Sequence, residues 1–188
     1  VGDQIYNGKA HKPAVRVYDG EILLEEKVDY TISYKNNVKA NDASNPKTAP
    51  SVIVKGKNNY NGSATVTFKI LPQNISGQEF SADNLAVVYK AKKEQKPVPV
   101  LTWKGKKLKA KTDFTVSYPD TQEGAYKNPG VYNVLITGKG NFTGEKKIKL
   151  SITQATLMSK VKVSKIANQE YQNGTPVTPE LAVKYGKE

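Results

Sequence analysis

The stretch Asp29-Tyr30-Thr31-Ile32-Ser33-Tyr34 alternates aromatic or aliphatic side chains with small hydroxyl side chains, and a close copy returns as Asp113-Phe114-Thr115-Val116-Ser117-Tyr118. Alternation with a period of two is typical of a β-strand that buries one face. We therefore expect the aromatic and aliphatic members of each stretch on one face of a sheet and the hydroxyl members on the other.

A second motif repeats in the same order. Gly56-Lys57-Asn58-Asn59-Tyr60-Asn61-Gly62 returns as Gly138-Lys139-Gly140-Asn141-Phe142-Thr143-Gly144, 82 residues later. A third motif begins the unit at Tyr6, Tyr89 and Tyr171. In it, the tyrosine is followed several residues later by a proline, which is Pro13, Pro97 or Pro176. A fixed period of this kind is the signature of a tandem array of modules. Because the chain has three starts but two complete units, we expect it to be part of a longer array.

Short alternating segments recur between turn signals in each unit, and no window keeps apolar residues at helical spacing. This pattern predicts an all-β fold of tandem β-sandwich repeats. Asn7-Gly8, Asn61-Gly62 and Asn173-Gly174 predict tight turns with positive φ. The predicted strands are 14–18, 30–35, 51–55 and 64–70 in the first unit and 99–103, 114–118, 131–137 and 146–152 in the second.

The repeat also predicts domain boundaries. Residues 1–72 form the first repeat, which lacks an opening strand, and residues 73–153 form the second. Residues 154–188 hold the opening strands of a truncated third repeat. Since residues 73–86 and 154–168 are equivalent segments, we expect residues 154–188 to make a head-to-tail contact with the incomplete first repeat of a neighbouring molecule.

The motifs stand in a fixed order: Tyr-x-Gly or Tyr-x-x-Gly, a proline with a Val-x-Val strand, Asp-Tyr-Thr-x-Ser-Tyr, Gly-Lys-x-Asn-Tyr/Phe-x-Gly, and a closing strand that ends at isoleucine. This order resembles the immunoglobulin-like tandem repeats of large cell-surface proteins from Gram-positive bacteria of the clostridial type. The resemblance covers essentially the whole chain and departs at Ala91, where that family has glycine. It implies a secreted, wall-associated stalk or adhesin-type protein at the bacterial cell surface, and it implies neither a catalytic residue nor a defined ligand.

Composition narrows the possible chemistry. The chain has no cysteine and one histidine, His11, which we expect to be exposed and structurally neutral. We therefore predict no enzyme activity, no metal site and no cofactor. The net charge of +12 comes almost wholly from lysine, and the only arginine is Arg16. Scarce arginine argues against nucleic acid as a partner, and the lack of a long apolar run predicts no membrane span.

The most basic stretch, residues 103–111, begins with the only tryptophan and contains five lysines. Alternation predicts that Leu108 and Ala110 point inward and the lysines outward, as on a charged edge strand that discourages pairing with other sheets. The alternative is a patch for anionic wall polymers such as teichoic acids or acidic glycans, in which the tryptophan stacks on a sugar. The candidate contact residues are Trp103, Lys104, Lys106, Lys107, Lys109, Lys111 and, in a long loop, Tyr126.

Two functions remain open at this level. The first is a non-catalytic structural or stalk module of a bacterial surface protein with a role in adhesion. The second is a module that itself recognises a host protein or a glycan. The longest connections, residues 38–50 and 119–130, are the best candidates for such recognition because binding residues concentrate on loops.

Overall fold

The computed structural model describes residues 1–154, 161–170, 173–174, 178–179 and 182–185. Within these residues the chain is all-β, and no helix suited to crossing a membrane occurs. The strands are β1 (Gln4–Ile5), β2 (Tyr18–Asp19), β3 (Ile22–Leu23), β4 (Tyr30–Lys35), β5 (Ser51–Gly56), β6 (Ser63–Thr67), β7 (Ile70–Leu71), β8 (Gln73–Asn74), β9 (Phe80–Ser81), β10 (Leu85–Val88), β11 (Thr102–Trp103), β12 (Lys106–Lys107), β13 (Phe114–Ser117), β14 (Gly130–Gly138), β15 (Phe142–Thr143), β16 (Glu145–Thr153), β17 (Val161–Val163) and β18 (Val183–Tyr185).

The two complete units contain the same antiparallel sheet. In the first unit (residues 1–72) the strand order is β4-β5-β6, and in the second unit (residues 73–153) it is β13-β14-β16. The registers correspond, because Tyr30 faces Gly56 in the first sheet and Phe114 faces Gly138 in the second. The internal repeat of the sequence is thus also a repeat of strand pairing.

The faces of β4 follow the alternation of its sequence. Tyr30 is buried and Ile32 and Tyr34 are half-buried, whereas Thr31 and Ser33 are exposed. The predicted assignment of faces is confirmed. Period-two alternation determines it because successive side chains of a strand leave opposite sides of the sheet.

Hydrogen bonds outside the sheets recur as well. The N–H of Gly56 donates to the carbonyl of Gly62 at 3.0 Å, and Gly138 donates to Gly144 at 2.9 Å. In each turn the chain passes close to the first glycine. A Cβ on Gly56 or on Gly138 would lie under 3 Å from backbone atoms four or five residues later in the chain. The predicted positive φ is also present at the second residue of each Asn-Gly pair, which is Gly8, Gly62 and Gly174.

The strands predicted at 14–18 and 99–103 are mostly absent, since only Tyr18–Asp19 and Thr102–Trp103 remain. Prolines explain this difference, because a residue without N–H cannot donate to a ladder. The carbonyl of Pro13 instead accepts the hydroxyl of Tyr34 at 3.0 Å, and that of Pro97 accepts the hydroxyl of Tyr118 at 2.6 Å.

The units differ in what precedes the sheet. Residues 73–86, here termed the opening segment, contribute β8, β9 and part of β10, which pair with β15, β11 and β16 respectively. The first unit has only β1, which pairs with β7 over two residues in parallel. Accordingly, the buried hydrophobic cluster of the second unit has twelve residues, whereas that of the first has three, Val52, Phe68 and Ile70.

After residue 153 the structure describes one short antiparallel pair, formed by β17 and β18. β17 pairs with β18 so that Val161 faces Tyr185, and this pair matches Phe80 facing Trp103 between β9 and β11. The serine that follows β17, Ser164, donates its N–H to the carbonyl of Ala182 at 2.9 Å. Tyr171, which marks the start of the third unit in the sequence, lies outside the described residues.

Candidate functional site at the junction of the units

Trp103 lies at the end of a tight hairpin formed by β11 and β12. The two-residue loop of this hairpin is Lys104-Gly105, and both residues have positive φ, 50° and 77°. Two positive φ values are characteristic of a type I′ turn, whose twist matches that of paired strands. The hairpin therefore holds Trp103 on a short, rigid support.

The indole ring of Trp103 belongs to a cluster of four aromatic rings. It stacks on Tyr6 with ring centroids 5.6 Å apart and on Phe80 at 5.9 Å, and Phe142 meets it edge-on at 5.3 Å. Tyr6 also meets the edge of Phe142 at 5.5 Å. Offset or edge-to-face aromatic pairs at these distances stabilise a structure beyond the area they bury.

This cluster joins the two units, because Tyr6 belongs to the first and the other three rings to the second. Gly8 follows Tyr6 and lies close to the same indole, so that a Cβ there would be 3.5 Å from the Trp103 ring. A separate polar contact supports the junction: the N–H of Ala40 donates to Oδ1 of Asn141 at 2.9 Å. The units are thus in direct contact through apolar and polar groups.

The lysines near Trp103 are all exposed, and they fall on a hairpin and a turn. Lys104 forms an ion pair with Glu79 at 3.2 Å, and its ammonium group lies 5.1 Å from the centre of the Trp103 ring. Lys106 and Lys107 form β12, whereas Lys109 and Lys111 follow it. All five lysines are exposed, and the ammonium group of Lys104 lies at the junction beside Trp103.

The predicted edge strand through residue 111 is wrong, because β12 ends at Lys107 and Ala110, expected to point inward, is exposed. Asp113 explains the ending. Its carboxylate accepts the N–H of Lys109 at 2.8 Å, and its own N–H donates to the carbonyl of Lys109 at 2.8 Å. These bonds close a turn in which Lys111 has a φ of 69°. Asp29 closes the equivalent turn of the first unit with Glu25.

Tyr126 lies in the interior of the second unit and is 2% exposed. Its hydroxyl donates to the carbonyl of Asn133 at 2.7 Å and accepts the N–H of Asp120 at 2.9 Å. Burial raises the pKa of this phenol. The ring therefore fastens the loop 119–130 to β14, and a ligand at the surface would not touch it.

Asp120 also fastens the loop 119–130 to β14. Its carboxylate accepts the side-chain and backbone N–H groups of Asn133, both at 2.7 Å. These hydrogen bonds to the charged form lower the pKa of the carboxyl, in the order side chain then backbone. The loop is thus held by the hydroxyl of the buried Tyr126 and the carboxylate of the half-buried Asp120.

The other long loop, residues 38–50, is also tied to the rest of the chain. It includes Ala40 of the junction, and Asn41 exchanges backbone hydrogen bonds with Ile70 at 2.8 and 2.9 Å. Ala49 and Pro50 at its end are buried. Most of its anchor points therefore have a structural explanation that needs no ligand.

The expectation that His11 is exposed is wrong, since His11 is 7% exposed. The backbone N–H of His11 donates to the carbonyl of Asn37 at 2.7 Å. The backbone N–H of Gln95, the equivalent residue of the second unit, donates to the carbonyl of Tyr126 at 2.8 Å. Both residues are buried, and the Nε2 atom of each has no hydrogen-bond partner among the described residues. His11 and Gln95 are equivalent positions in the repeat, but both are polar, so no sequence pattern indicates that they are buried.

Within the described residues, no group of three or more histidine or acidic side chains is placed to hold a metal ion. The chain matches no protein-family model, and no match is found among characterised proteins or among solved structures. Function is therefore inferred from the geometry of the chain.

Proposed function

We propose that the chain is a non-catalytic structural segment of a bacterial cell-surface protein, built of tandem immunoglobulin-like repeats. In this role the repeats hold an adhesive or other functional part of the protein away from the cell wall. The observation that carries the proposal is the aromatic junction, in which Tyr6 of one unit packs against Trp103 and Phe142 of the next. A spacer requires contacts of this kind because flexible links between units would shorten its average reach.

The arrangement of the loops supports the same reading. Tyr126 and Asp120 fasten one long loop to its own unit, and Ala40 of the other long loop bonds to the neighbouring unit. Loops committed to internal contacts serve rigidity more directly than recognition.

The exposed lysines beside the junction give the spacer a second property. Lys104, Lys106, Lys107, Lys109 and Lys111 present a dense positive surface, and lysine attracts anionic polymers without specific geometry. Such a surface would make weak, salt-dependent contacts with anionic wall polymers such as teichoic acids.

The test is the location of the protein in cells of its source organism. We expect antibodies against this chain to label intact cells and to detect the protein in the wall fraction, with a cytosolic enzyme as the control for lysis. Detection of the protein in the cytosol alone, with intact cells unlabelled, would overturn the proposal.

A further inference from the structure

The triplet Tyr-Asn-Gly occurs twice in the chain, as Tyr6-Asn7-Gly8 and as Tyr60-Asn61-Gly62. Both asparagines are exposed, and the glycine that follows has a positive φ, 79° at Gly8 and 81° at Gly62. An asparagine followed by glycine can react with its own backbone, because glycine has no Cβ to hinder the approach of its nitrogen to the carboxamide. Since the two triplets are identical, a difference in their reactivity has to come from the fold.

The side chain of Asn7 is held in the arrangement that this reaction needs. The backbone N–H of Lys9 donates to Oδ1 of Asn7 at 2.8 Å, and this bond folds the carboxamide back beside the peptide bond between Asn7 and Gly8. A donor at this oxygen stabilises the negative charge that develops there when a nucleophile adds to Cγ. Among the described residues, no backbone carbonyl accepts the N–H of Gly8, so its nitrogen gives up no such bond when it reacts.

Asn61 lies in a different setting, although its triplet is the same. It belongs to the tight turn that the N–H of Gly56 closes on the carbonyl of Gly62 at 3.0 Å. In the part of the chain that the structure describes, no N–H donates to the carboxamide oxygen of Asn61. The fold therefore prepares the carboxamide of Asn7 for attack and leaves that of Asn61 unprepared.

Two other asparagines have the same hydrogen bond but lack the glycine. Asn45 accepts at Oδ1 the N–H of the second residue after it at 3.0 Å, but it precedes Pro46, which has no N–H to react. Asn74 accepts the equivalent bond at 2.9 Å, but the N–H of Ile75 is already donated to a carbonyl of β15 at 2.8 Å. Asn7 thus combines a prepared carboxamide with a reactive neighbour, and these two residues serve as internal controls.

The reactive pair lies against the aromatic junction. Tyr6 stacks on Trp103, and a Cβ on Gly8 would be 3.5 Å from the same indole. The backbone is fixed on both sides of Asn7, because the N–H groups of Tyr6 and His11 donate to carbonyls of the first unit at 2.8 and 2.7 Å. An additional backbone atom between these two anchors would move either the tyrosine ring or Gly8 away from Trp103.

We propose that Asn7 is a site of self-modification, at which its carboxamide reacts with the backbone nitrogen of Gly8 and the product loosens the junction between the units. The nitrogen of Gly8 gives its proton to water and bonds to Cγ of Asn7. The bond from Cγ to the amide nitrogen breaks, and that nitrogen takes up a proton and leaves as ammonia. The cyclic imide that remains is opened by water at either of its two carbonyls, which gives aspartate or isoaspartate.

Isoaspartate is the product that affects the junction. Its backbone runs through the side-chain carbons, so the chain between Tyr6 and Gly8 becomes one methylene longer and gains a negative charge. Since the reaction consumes only water, the age of the protein sets how many junctions are loosened. The inference rests on the contacts of Asn7, so a cytosolic location of the protein would leave it standing.

The chemical test follows each asparagine of the whole folded chain during incubation in mildly alkaline buffer made with heavy-oxygen water. Peptide mapping by mass spectrometry identifies the converted residues. We expect Asn7 to convert several-fold faster than Asn61, with one heavy oxygen in the product, while Asn45 and Asn74 stay amides. In urea the two identical triplets should convert at the same rate, because the fold no longer distinguishes them. Conversion of Asn7 no faster than that of Asn61 in the folded chain would overturn the proposal.

Quenching of Trp103 fluorescence by acrylamide tests the effect on the junction, since Trp103 is the only tryptophan. We expect quenching to increase as isoaspartate accumulates at position 7. The matched control is Asn7→Gln, which keeps a carboxamide but places it one methylene further from the backbone nitrogen, so its quenching should stay constant during incubation. Fresh Asn7→Asp carries the charge without the longer backbone and should be quenched like the fresh unmodified chain. A converted chain that is quenched no more than incubated Asn7→Gln would also overturn the proposal.

Discussion

The contact between Tyr6 and the second unit allows a quantitative prediction for the variant Tyr6→Ala. Tyr6 makes two aromatic pairs across the junction, with Trp103 at 5.6 Å and with Phe142 at 5.5 Å. Each such pair contributes about 0.5–1.5 kcal/mol. Removal of both should therefore weaken the coupling between the units by about 1–3 kcal/mol.

The loss should fall mainly on the first unit. Its buried hydrophobic cluster has three residues against twelve in the second unit, so the first unit depends more on external support. Amide hydrogen exchange followed by mass spectrometry reports each unit separately. We expect exchange in β4, β5 and β6 to accelerate by about 5- to 150-fold, which corresponds to 1–3 kcal/mol. Exchange in β13, β14 and β16 should change far less.

Tyr6 also packs against the core of its own unit, so a double-mutant cycle with Trp103→Ala is needed to isolate the junction. We expect an interaction energy of about 0.5–1.5 kcal/mol for this pair. Tyr18→Ala is the control, because Tyr18 is 52% exposed and lies away from the junction. An interaction energy below about 0.3 kcal/mol, within the usual error of additivity, would refute the reasoning.

Two further predictions concern the anchors of loop 119–130. Tyr126→Phe removes a hydroxyl that makes hydrogen bonds of 2.7 and 2.9 Å, and it should destabilise the second unit by about 1–3 kcal/mol in urea unfolding followed by Trp103 fluorescence, since buried partners lose their bonds. An unchanged midpoint would contradict the role given to this hydroxyl. The pKa of Asp120 is lowered in the folded state, so its stabilising effect is complete above its ordinary pKa of about 3.9 and is lost as the pH falls through the lower folded-state value. The stability difference between the unmodified chain and Asp120→Asn should therefore shrink in acid, and a difference that grows in acid would exclude this linkage.

Local pattern was sufficient to predict the central sheets. The strands around Tyr30, Val52 and Phe114 follow from alternation and turn residues, because side-chain direction in a strand depends only on sequence parity. The strands after Pro13 and Pro97 were predicted too long, since apolar alternation there hides the missing N–H donors.

The junction, in contrast, depends on contacts between residues far apart in sequence. No local pattern indicates that Tyr6 stacks on Trp103, or that the interior receives Tyr126 and His11. In the sequence, Trp103 stands out through its lysine neighbours. In the structure, three aromatic rings explain its position.

The aromatic junction has a geometric consequence for an array of many units. The surface around Tyr6 and the surface around Trp103 differ, so the contact has no two-fold symmetry and cannot close a pair of units on itself. Repetition of the same contact moves each unit by one constant rotation and one constant translation, which generates a screw. The length of such an array grows in equal steps with the number of units. Duplication or loss of a unit in the gene would then change reach without requiring any new interface.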